Sequence, residues 1–197
     1  MVLIDAAGKA CPIPVIEAKK ALSAPETQEI SIKVDNIIAV QNLEKMAAGL
    51  TYSFSYEEGG DSLYNVKIKK DINSKEPEIP PKSVPGKKLV ILIGSDALGN
   101  GEPELGKALM KSFIYSLTEL DTAPMTAIFI NRGAYLTAVG SNAAADIRIL
   151  ENKGTEVLTC GTCLNYYGLV DSLAAGSIAD MFGIVERMAA ADSIISL

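Results

Sequence analysis

The chain has 197 residues, room for one domain or two, and 48% of them are hydrophobic, which is enough for a packed core. Its net charge of −6 argues against a nucleic-acid partner, which requires a basic face, and against an anionic membrane surface. No apolar run approaches the length of a membrane span, and the apolar residues before Asp5 are too few for the core of a signal peptide. We therefore expect a cytoplasmic protein without a membrane partner.

The cysteine and histidine counts restrict the chemistry. The chain has three cysteines and no histidine. An odd number of widely spaced cysteines does not indicate a secreted disulfide framework. The lack of histidine excludes a Cys-His dyad, a Ser-His-Asp triad and any histidine metal ligand. We expect no metal and no cofactor, and chemistry that depends on sulfur itself.

Residues 1–70 show the pattern of a small α/β domain. Apolar residues alternate in short runs, which predicts strands, or recur at helical spacing, which predicts helices. The predicted order is a strand at 2–4, a helix at 12–22, a strand at 29–34, a helix at 37–48, and two strands near Tyr56 and Tyr64. Asp35 or Asn36 caps the second helix, and Ile37, Val40, Leu43 and Ala47 form its buried stripe. This βαβαββ order predicts a two-layer sandwich of helices on one face of a four-stranded sheet.

The first helix is preceded by the motif Cys11-Pro12-Ile13-Pro14. Proline suits the first helical position, so we place Cys11 at the N-cap and Pro12 at the first helical residue. Pro14 has no N–H, which leaves the Ile13 N–H to meet the Cys11 sulfur. That bond and the helix dipole favour the thiolate, which is the reactive form. The alternative is a small buried residue at a helix start, with the prolines serving only to begin the helix.

The rest of the chain predicts a linker and a second domain. Residues 71–86 are rich in proline and polar side chains, as is typical of a semi-rigid linker. Residues 87–197 then alternate strands and helices, which favours a parallel sheet covered on both faces. The predicted strands are 89–93, 125–130, 156–159 and 193–197, and the predicted helices are 103–120, 142–152 and 178–190.

A second candidate site is the Cys160-x-x-Cys163 pair, directly after a predicted strand. Ligands of open α/β sheets bind beyond the carboxyl ends of the strands, which places these thiols in a plausible site. The spacing lets the two sulfurs pair or share chemistry. Gly161 and Thr162 predict an exposed turn here. The alternative is a pair of small cysteines that face the core.

Other loops follow the ends of strands in this second block. Residues 94–101 form either the rim of an active site or an anion cradle, although Asp96 would repel phosphate. Arg132 could hold an anionic sulfur species, or it could be a solvated loop charge. Tyr166 and Tyr167 could form the wall of a pocket, or they could be core or interface aromatics.

Both blocks resemble known families. Residues 1–70 resemble the TusA/SirA-like sulfur carriers, whose cysteine at this motif carries a persulfide sulfur, and the resemblance gives that role to Cys11. Residues 87–197 resemble the DsrE-like family, which implies a flavodoxin-like, three-layer α/β/α parallel-sheet domain that often oligomerises. Together they resemble the YedF-like, sulfurtransferase-like selenium-metabolism proteins. The matching positions are Asp5, Gly8, Cys11-Pro12-Ile13-Pro14, Val34-Asp35-Asn36 and residues 158–169.

The resemblance and the residues together suggest an intracellular carrier of reduced sulfur or selenium. Cys11 would hold a persulfide or selenosulfide, and Cys160 or Cys163 would accept it or resolve it by disulfide formation. We expect a cysteine desulfurase or another sulfur or selenium donor, acceptor proteins, and a homo-oligomer formed through the C-terminal domain. Two other functions remain open: a non-catalytic protein-docking or regulatory module, and a thiol–disulfide oxidoreductase using the CxxC alone. The expected substrate-binding residues are Pro12, Ile13, Pro14 and Arg132.

Overall fold

The chain divides into two compact units, Met1–Pro81 and Lys82–Leu197. The structure is a computed structural model that describes residues 1–60, 63–70 and 88–197. The predicted linker at 71–86 lies outside the described residues.

The first unit has the predicted βαβαββ order. Its elements are β1 (Val2–Asp5), α1 (Ile13–Ser23), β2 (Glu29–Val34), α2 (Ile37–Gly49), β3 (Ser53–Glu58) and β4 (Tyr64–Lys69). The sheet order is β1-β2-β4-β3. The pair β1–β2 is parallel and the other two pairs are antiparallel. The small sheet-and-helix sandwich expected from the sequence is confirmed.

One sheet face and the two helices enclose the core of this unit. Strand β2 alternates as expected, with Ile30, Ile32 and Val34 fully buried against both helices. On α2 the buried stripe is centred near Leu43. Ile37, predicted to belong to that stripe, is exposed, because at 100° per residue it lies roughly 120° around the helix from Leu43.

The second unit is built on a five-stranded sheet. Its strands are β5 (Leu89–Ile93), β6 (Thr126–Phe129), β7 (Glu156–Cys160), β8 (Ser177–Ala179) and β9 (Ser193–Ser196). Its helices are α3 (Pro103–Thr118), α4 (Ala144–Asn152), α5 (Gly161–Tyr166) and α6 (Met181–Ala189), with 3-10 turns at Asn131–Thr137 and Val170–Ser172. All strand pairs are parallel, in the order β8-β7-β6-β5-β9.

Both faces of this sheet are buried, so the predicted three-layer parallel α/β class is confirmed. Ile91 and Phe129 pack with residues of α3 and α4, and Val90 and Ile128 on the opposite face pack with Ile184 of α6. The order of the strands differs from the flavodoxin-like order expected from the sequence. Here the last strand of the unit lies beside the first, giving 4-3-2-1-5 within the unit, whereas the flavodoxin-like order is 2-1-3-4-5.

Two predicted segments differ locally. The helix expected at 178–190 is preceded by a strand, because residues 177–179 pair with the end of β7 before Asp180 begins α6. The Asp180 carboxylate caps that helix by accepting a hydrogen bond from the Gly183 N–H at 2.8 Å. The predicted exposed turn at 161–162 is instead the start of α5, which follows β7 without a loop.

A close backbone approach fixes the segment after β6. A β-carbon added at Gly133 would lie 2.3 Å from the carbonyl oxygen of Ile93, a backbone atom at the end of β5. The absence of a side chain at 133 therefore lets the 3-10 turn Asn131–Thr137 lie directly on the end of that strand. This approach sets the position of Asn131 and Arg132.

We predict that Gly133→Ala destabilises the second unit by about 2 kcal/mol or more, because the backbone itself must shift to admit the methyl group. Chemical denaturation followed by circular dichroism measures the effect. Gly101→Ala is the matched control, since a β-carbon at Gly101 meets no atom within 4 Å among the described residues. Equal midpoints for the two variants would contradict the prediction.

Candidate functional site

Cys11 lies in a turn just before α1 and is exposed. The Ile13 N–H donates to the Ala10 carbonyl at 3.0 Å, which closes a β-turn through Cys11 and Pro12. Pro12 is the N-cap and the helix begins at Ile13. The predicted N-cap role of Cys11 is therefore wrong: the Ile13 N–H is used by the turn, and Cys11 stands one residue further from the helix. The Cys11–Pro12 peptide bond is cis.

A pocket beside Cys11 lies between the starts of α1 and α2. Of the predicted substrate-binding residues in this unit, Pro12 and Pro14 line it together with Cys11. Lys9 also lines it, and its ammonium forms a 2.6 Å ion pair with Glu17. The remaining lining residues are Val15, Asn36, Ile38, Ala39 and Asn42. Cys11 thus borders a pocket lined by apolar and polar residues, with the Lys9 ammonium among them.

Asp35 ties the loop before Cys11 to the start of α2. Its Oδ2 accepts the Gly8 N–H at 2.6 Å, and its Oδ1 accepts a hydrogen bond from the Asn36 side chain at 3.0 Å. Asn36 in turn caps α2 by accepting from the Ala39 N–H. The bond from Gly8 is the main cause that holds the pKa of the Asp35 carboxyl below its usual value. Sequence reasoning identified Asp35 as a possible cap only; its anchoring role depends on a contact with a residue 27 positions away.

The second candidate site lies at the carboxyl edge of the parallel sheet. Cys160 ends β7 and is only 2% exposed, packed in the apolar layer under α6, while Cys163 on α5 is half-buried. The Asn131 N–H donates to the Cys163 sulfur at 3.0 Å. The pKa of Cys163 is raised overall: burial is the main cause and the neighbouring Cys160 side chain adds to it, while the hydrogen bond from Asn131 lowers it. The two thiols therefore have different environments: one is in the core, and the other is reachable.

Arg132 follows Asn131 at the same edge. Its guanidinium forms a two-point salt bridge with Asp96, at 2.8 and 3.0 Å, and lies 5.7 Å from the centre of the Tyr135 ring. This pairing holds the pKa of Asp96 below its usual value. Arg132 is 56% exposed, so it is neither a purely solvated charge nor one buried at the thiols.

The structure thus brings some predicted residues together. Cys160 and Cys163 contact each other, and Asn131 joins Cys163 to the strand end that also carries Arg132. Cys11, Pro12, Ile13 and Pro14 lie together in the other unit. Sequence reasoning missed Asn131 as a contact of Cys163. Its signal was an asparagine after a buried strand, a residue type that tolerates the left-handed backbone found here, with φ +47°.

The described part of the chain contains no group of three or more His, Cys, Asp or Glu side chains arranged to hold a metal ion. Among residues 1–60, 63–70 and 88–197, no helix is both long and apolar enough to cross a membrane.

Comparison with known proteins assigns the first unit to a family. The family model of the sulfurtransferase TusA matches residues 2–70. A protein of Methanocaldococcus jannaschii named as a sulfur carrier, MJ0990, is 32% identical over 68 residues, which are 34% of this chain and 91% of that protein. The chain belongs to the TusA family of sulfurtransferases and sulfur carriers.

Two solved structures are similar to parts of the chain. A SirA-like protein of Desulfitobacterium hafniense is 45% identical, with 35% of this chain and 96% of that chain covered and a TM-score of 0.34. The ychN protein of Escherichia coli is 17% identical, with 56% of this chain and 99% of that chain covered and a TM-score of 0.45.

The Asp35 contact makes a prediction about acid stability. Because folding favours the ionised carboxylate, its contribution is complete above the ordinary aspartate pKa of about 3.9 and is lost as the pH falls through the lowered folded pKa. We expect Asp35→Asn to be less stable than wild type at pH 7, with the difference shrinking on acidification through that range. Denaturant titrations at a series of pH values measure it.

Glu26→Gln is the control for this prediction, because the Glu26 carboxylate makes no hydrogen bond or ion pair within the described ranges. It should leave the stability difference near zero at every pH. A difference between wild type and Asp35→Asn that stays constant from pH 7 down through the acid range would contradict the role given to Asp35.

Proposed function

We propose that this chain carries reduced sulfur as a persulfide on Cys11. The observation that carries the proposal is the placement of an exposed cysteine, in a turn beside a pocket, on a unit that belongs to the TusA family. The surrounding prolines limit the conformations of the turn, and the Lys9 ammonium, paired with Glu17, lies at the pocket edge. A persulfide anion on Cys11 would be accessible to a protein donor, such as a cysteine desulfurase, and to acceptor proteins. We place this chemistry in the cytosol, where thiols stay reduced.

The second unit, in this proposal, is a DsrE-like domain that receives the sulfur. Cys160 or Cys163 accepts it as a persulfide, or the other cysteine of the pair then attacks the inner sulfur of that persulfide, which forms a disulfide and releases the outer sulfur as hydrosulfide. Arg132, paired with Asp96, supplies a cation at the same edge of the sheet as the thiol pair. Fusion of a carrier unit with such a domain supports a YedF-like role in sulfur or selenium metabolism. Selenium would use the same thiolates, as a selenosulfide.

A thiol–disulfide oxidoreductase is the second candidate function. The packing of Cys163 against the cluster that contains Cys160 favours it, because two neighbouring thiols can exchange with a disulfide. This function would need only the second unit, with Cys11 serving no chemical step.

We predict that incubation with a cysteine desulfurase and cysteine adds the mass of one sulfur atom to Cys11, and that Cys11→Ser abolishes this first loading. Intact-mass spectrometry with peptide mapping locates the added atom, and a parallel incubation with selenocysteine tests selenium. The matched control is the double variant Cys160→Ser/Cys163→Ser, which should still load at Cys11.

Transfer is then followed with labelled sulfur between two forms of the full chain. The double variant is loaded at Cys11 and mixed with Cys11→Ser chains. Movement of the label to Cys160 or Cys163 supports a relay. Label that stays on Cys11 excludes the pair as acceptor. If the wild-type chain acquires no sulfur on Cys11 in the loading assay, the oxidoreductase becomes the favoured function.

We also propose a homo-oligomer formed through the second unit. Two surfaces support it: β9 is an edge strand with Ile194 and Ile195 partly exposed, and α6 exposes Phe182 by 73%. Light scattering of the full chain should show a mass above that of one chain, and either Phe182→Glu or Ile195→Glu should reduce it, which identifies the surface. A monomer at high micromolar concentration contradicts the proposal.

A further inference from the structure

The backbone at Asn131 is set in an uncommon conformation that serves Cys163. Asn131 has φ +47°, in the left-handed region that few residues other than glycine adopt. In this conformation its N–H points at the Cys163 sulfur, at 3.0 Å. A backbone N–H is a good donor to a thiolate, and hydrogen bonds to ionised acceptors are stronger than neutral ones. The conformation of one residue therefore supplies a hydrogen bond that favours the anionic form of Cys163, against the burial that raises its pKa.

The Asn131 side chain is held by Tyr167. The Tyr167 hydroxyl donates to the Asn131 Oδ1 at 2.6 Å. Tyr167 is itself fixed to the helix that carries Cys163, because its N–H donates to the Cys163 carbonyl at 3.0 Å. The two bonds connect the turn after β6 to the end of α5, with Cys163 between them.

A stack of side chains supports the Tyr167 ring from the other side. The Tyr135 ring lies 4.9 Å from it, centre to centre, and the Arg132 guanidinium lies over Tyr135 while bound to Asp96. These ring contacts, which involve neither cysteine side chain, help direct the Tyr167 hydroxyl at Asn131.

We infer that Tyr167 is a positioning residue: through Asn131 it keeps a backbone N–H on the Cys163 sulfur and so makes Cys163, rather than the buried Cys160, the nucleophile of the pair. The inference deepens the proposed function and rests on it where sulfur transfer is concerned. Burial of Cys160 agrees with this order, since an incoming sulfur donor cannot reach a side chain that is 2% exposed.

The transfer step balances without any added oxidant or reductant. The Cys163 thiolate attacks the outer sulfur of a persulfide donor, forming a bond between the Cys163 sulfur and that outer sulfur. The bond between the outer sulfur and the donor's own sulfur breaks, and its electron pair leaves with the donor as a thiolate. The persulfide proton stays with the transferred sulfur or passes to solvent. The Asn131 N–H donates to the attacking sulfur throughout.

Cys160 is the titratable neighbour that acts on Cys163. It contacts Cys163 from β7 and raises its pKa, in the direction opposite to the Asn131 N–H. The ionisable and charged side chains on the elements packed against α5 are Cys160 and Glu156 on β7, Arg132 and Tyr135 on the turn after β6, and Asp171 on the turn at Val170–Ser172.

Alkylation of the full chain by iodoacetamide, as a function of pH, tests the inference. Fragmentation mass spectrometry separates modification at Cys163 from modification at Cys160. We expect Tyr167→Phe to slow alkylation of Cys163 roughly three- to tenfold at a fixed pH near 8 and to move the inflection of its pH profile upward, as befits a weakened hydrogen bond to an anionic acceptor. Tyr166→Phe is the matched control, because the Tyr166 ring is 82% exposed and its hydroxyl makes no hydrogen bond within the described residues.

A double-mutant cycle shows whether Tyr167 acts through Asn131. Asn131→Gly retains the N–H and tolerates a positive φ but gives the Tyr167 hydroxyl no acceptor. We expect it to slow Cys163 about as much as Tyr167→Phe, and the two changes together to add no further slowing. Additive effects, an unchanged profile in Tyr167→Phe, or faster alkylation at Cys160 than at Cys163 in the wild type would overturn the inference.

Sulfur transfer is scored separately from reactivity. Glutathione persulfide is offered to the same variants, and the acquired sulfur is mapped to Cys160 or Cys163. Sulfur on Cys163, acquired more slowly in Tyr167→Phe, supports the inference. Sulfur on Cys160 in the wild type overturns it. If the alkylation profile shifts as expected but neither cysteine acquires sulfur, the positioning role stands and the sulfur-relay proposal fails.

Discussion

Burial of a parallel sheet on both faces restricts where the second unit can present chemistry. With α3 and α4 on one face and α6 on the other, side chains of the strands become reachable only where the strands end. Three neighbouring strands end at Ile93, Phe129 and Cys160. The segments that follow them supply Asp96, the Asn131–Arg132 pair and Cys163. The salt bridge, the tyrosine stack and the thiol contact all follow from this shared edge.

In the first unit only one face of the sheet is buried by helices, and its cysteine is also presented from a loop. Its two helices cover the core, and their starting ends lie side by side, so the loop that carries Cys11 meets the cap of α2. The Asp35 carboxylate accepts a hydrogen bond from the Gly8 N–H and so holds that loop against the start of α2. Cys11 is thereby presented by a loop that is held at its base.

The spacing of apolar residues along the chain predicted the longer strands and helices, because the buried face of each element requires that spacing. The alternation of Ile30, Ile32 and Val34 and the continuous apolar run of β5 each have one physical explanation, and the strands lie where expected. The errors concern places where local rules compete. Proline after Cys11 favours the first helical position, but the hydrogen bond from the Ile13 N–H to the Ala10 carbonyl closes a turn there, and Pro12 becomes the N-cap. Residues 177–179 carry no strand signal of their own; pairing with β7 makes them a strand. The contacts of Asp35 and Asn131 are long-range and have no local pattern.

Because Cys160 is buried and Cys163 is only half-buried, an outside thiol could attack a disulfide between them at one sulfur only. Exchange requires the attacking thiolate, the attacked sulfur and the leaving sulfur to lie nearly in line. An outside thiol can approach only Cys163, since Cys160 is enclosed by the apolar layer under α6. The mixed disulfide formed on reduction would therefore sit on Cys163, and the leaving sulfur would be that of Cys160. Reduction of such a disulfide would therefore begin at Cys163, on the solvent side, and release Cys160 on the core side.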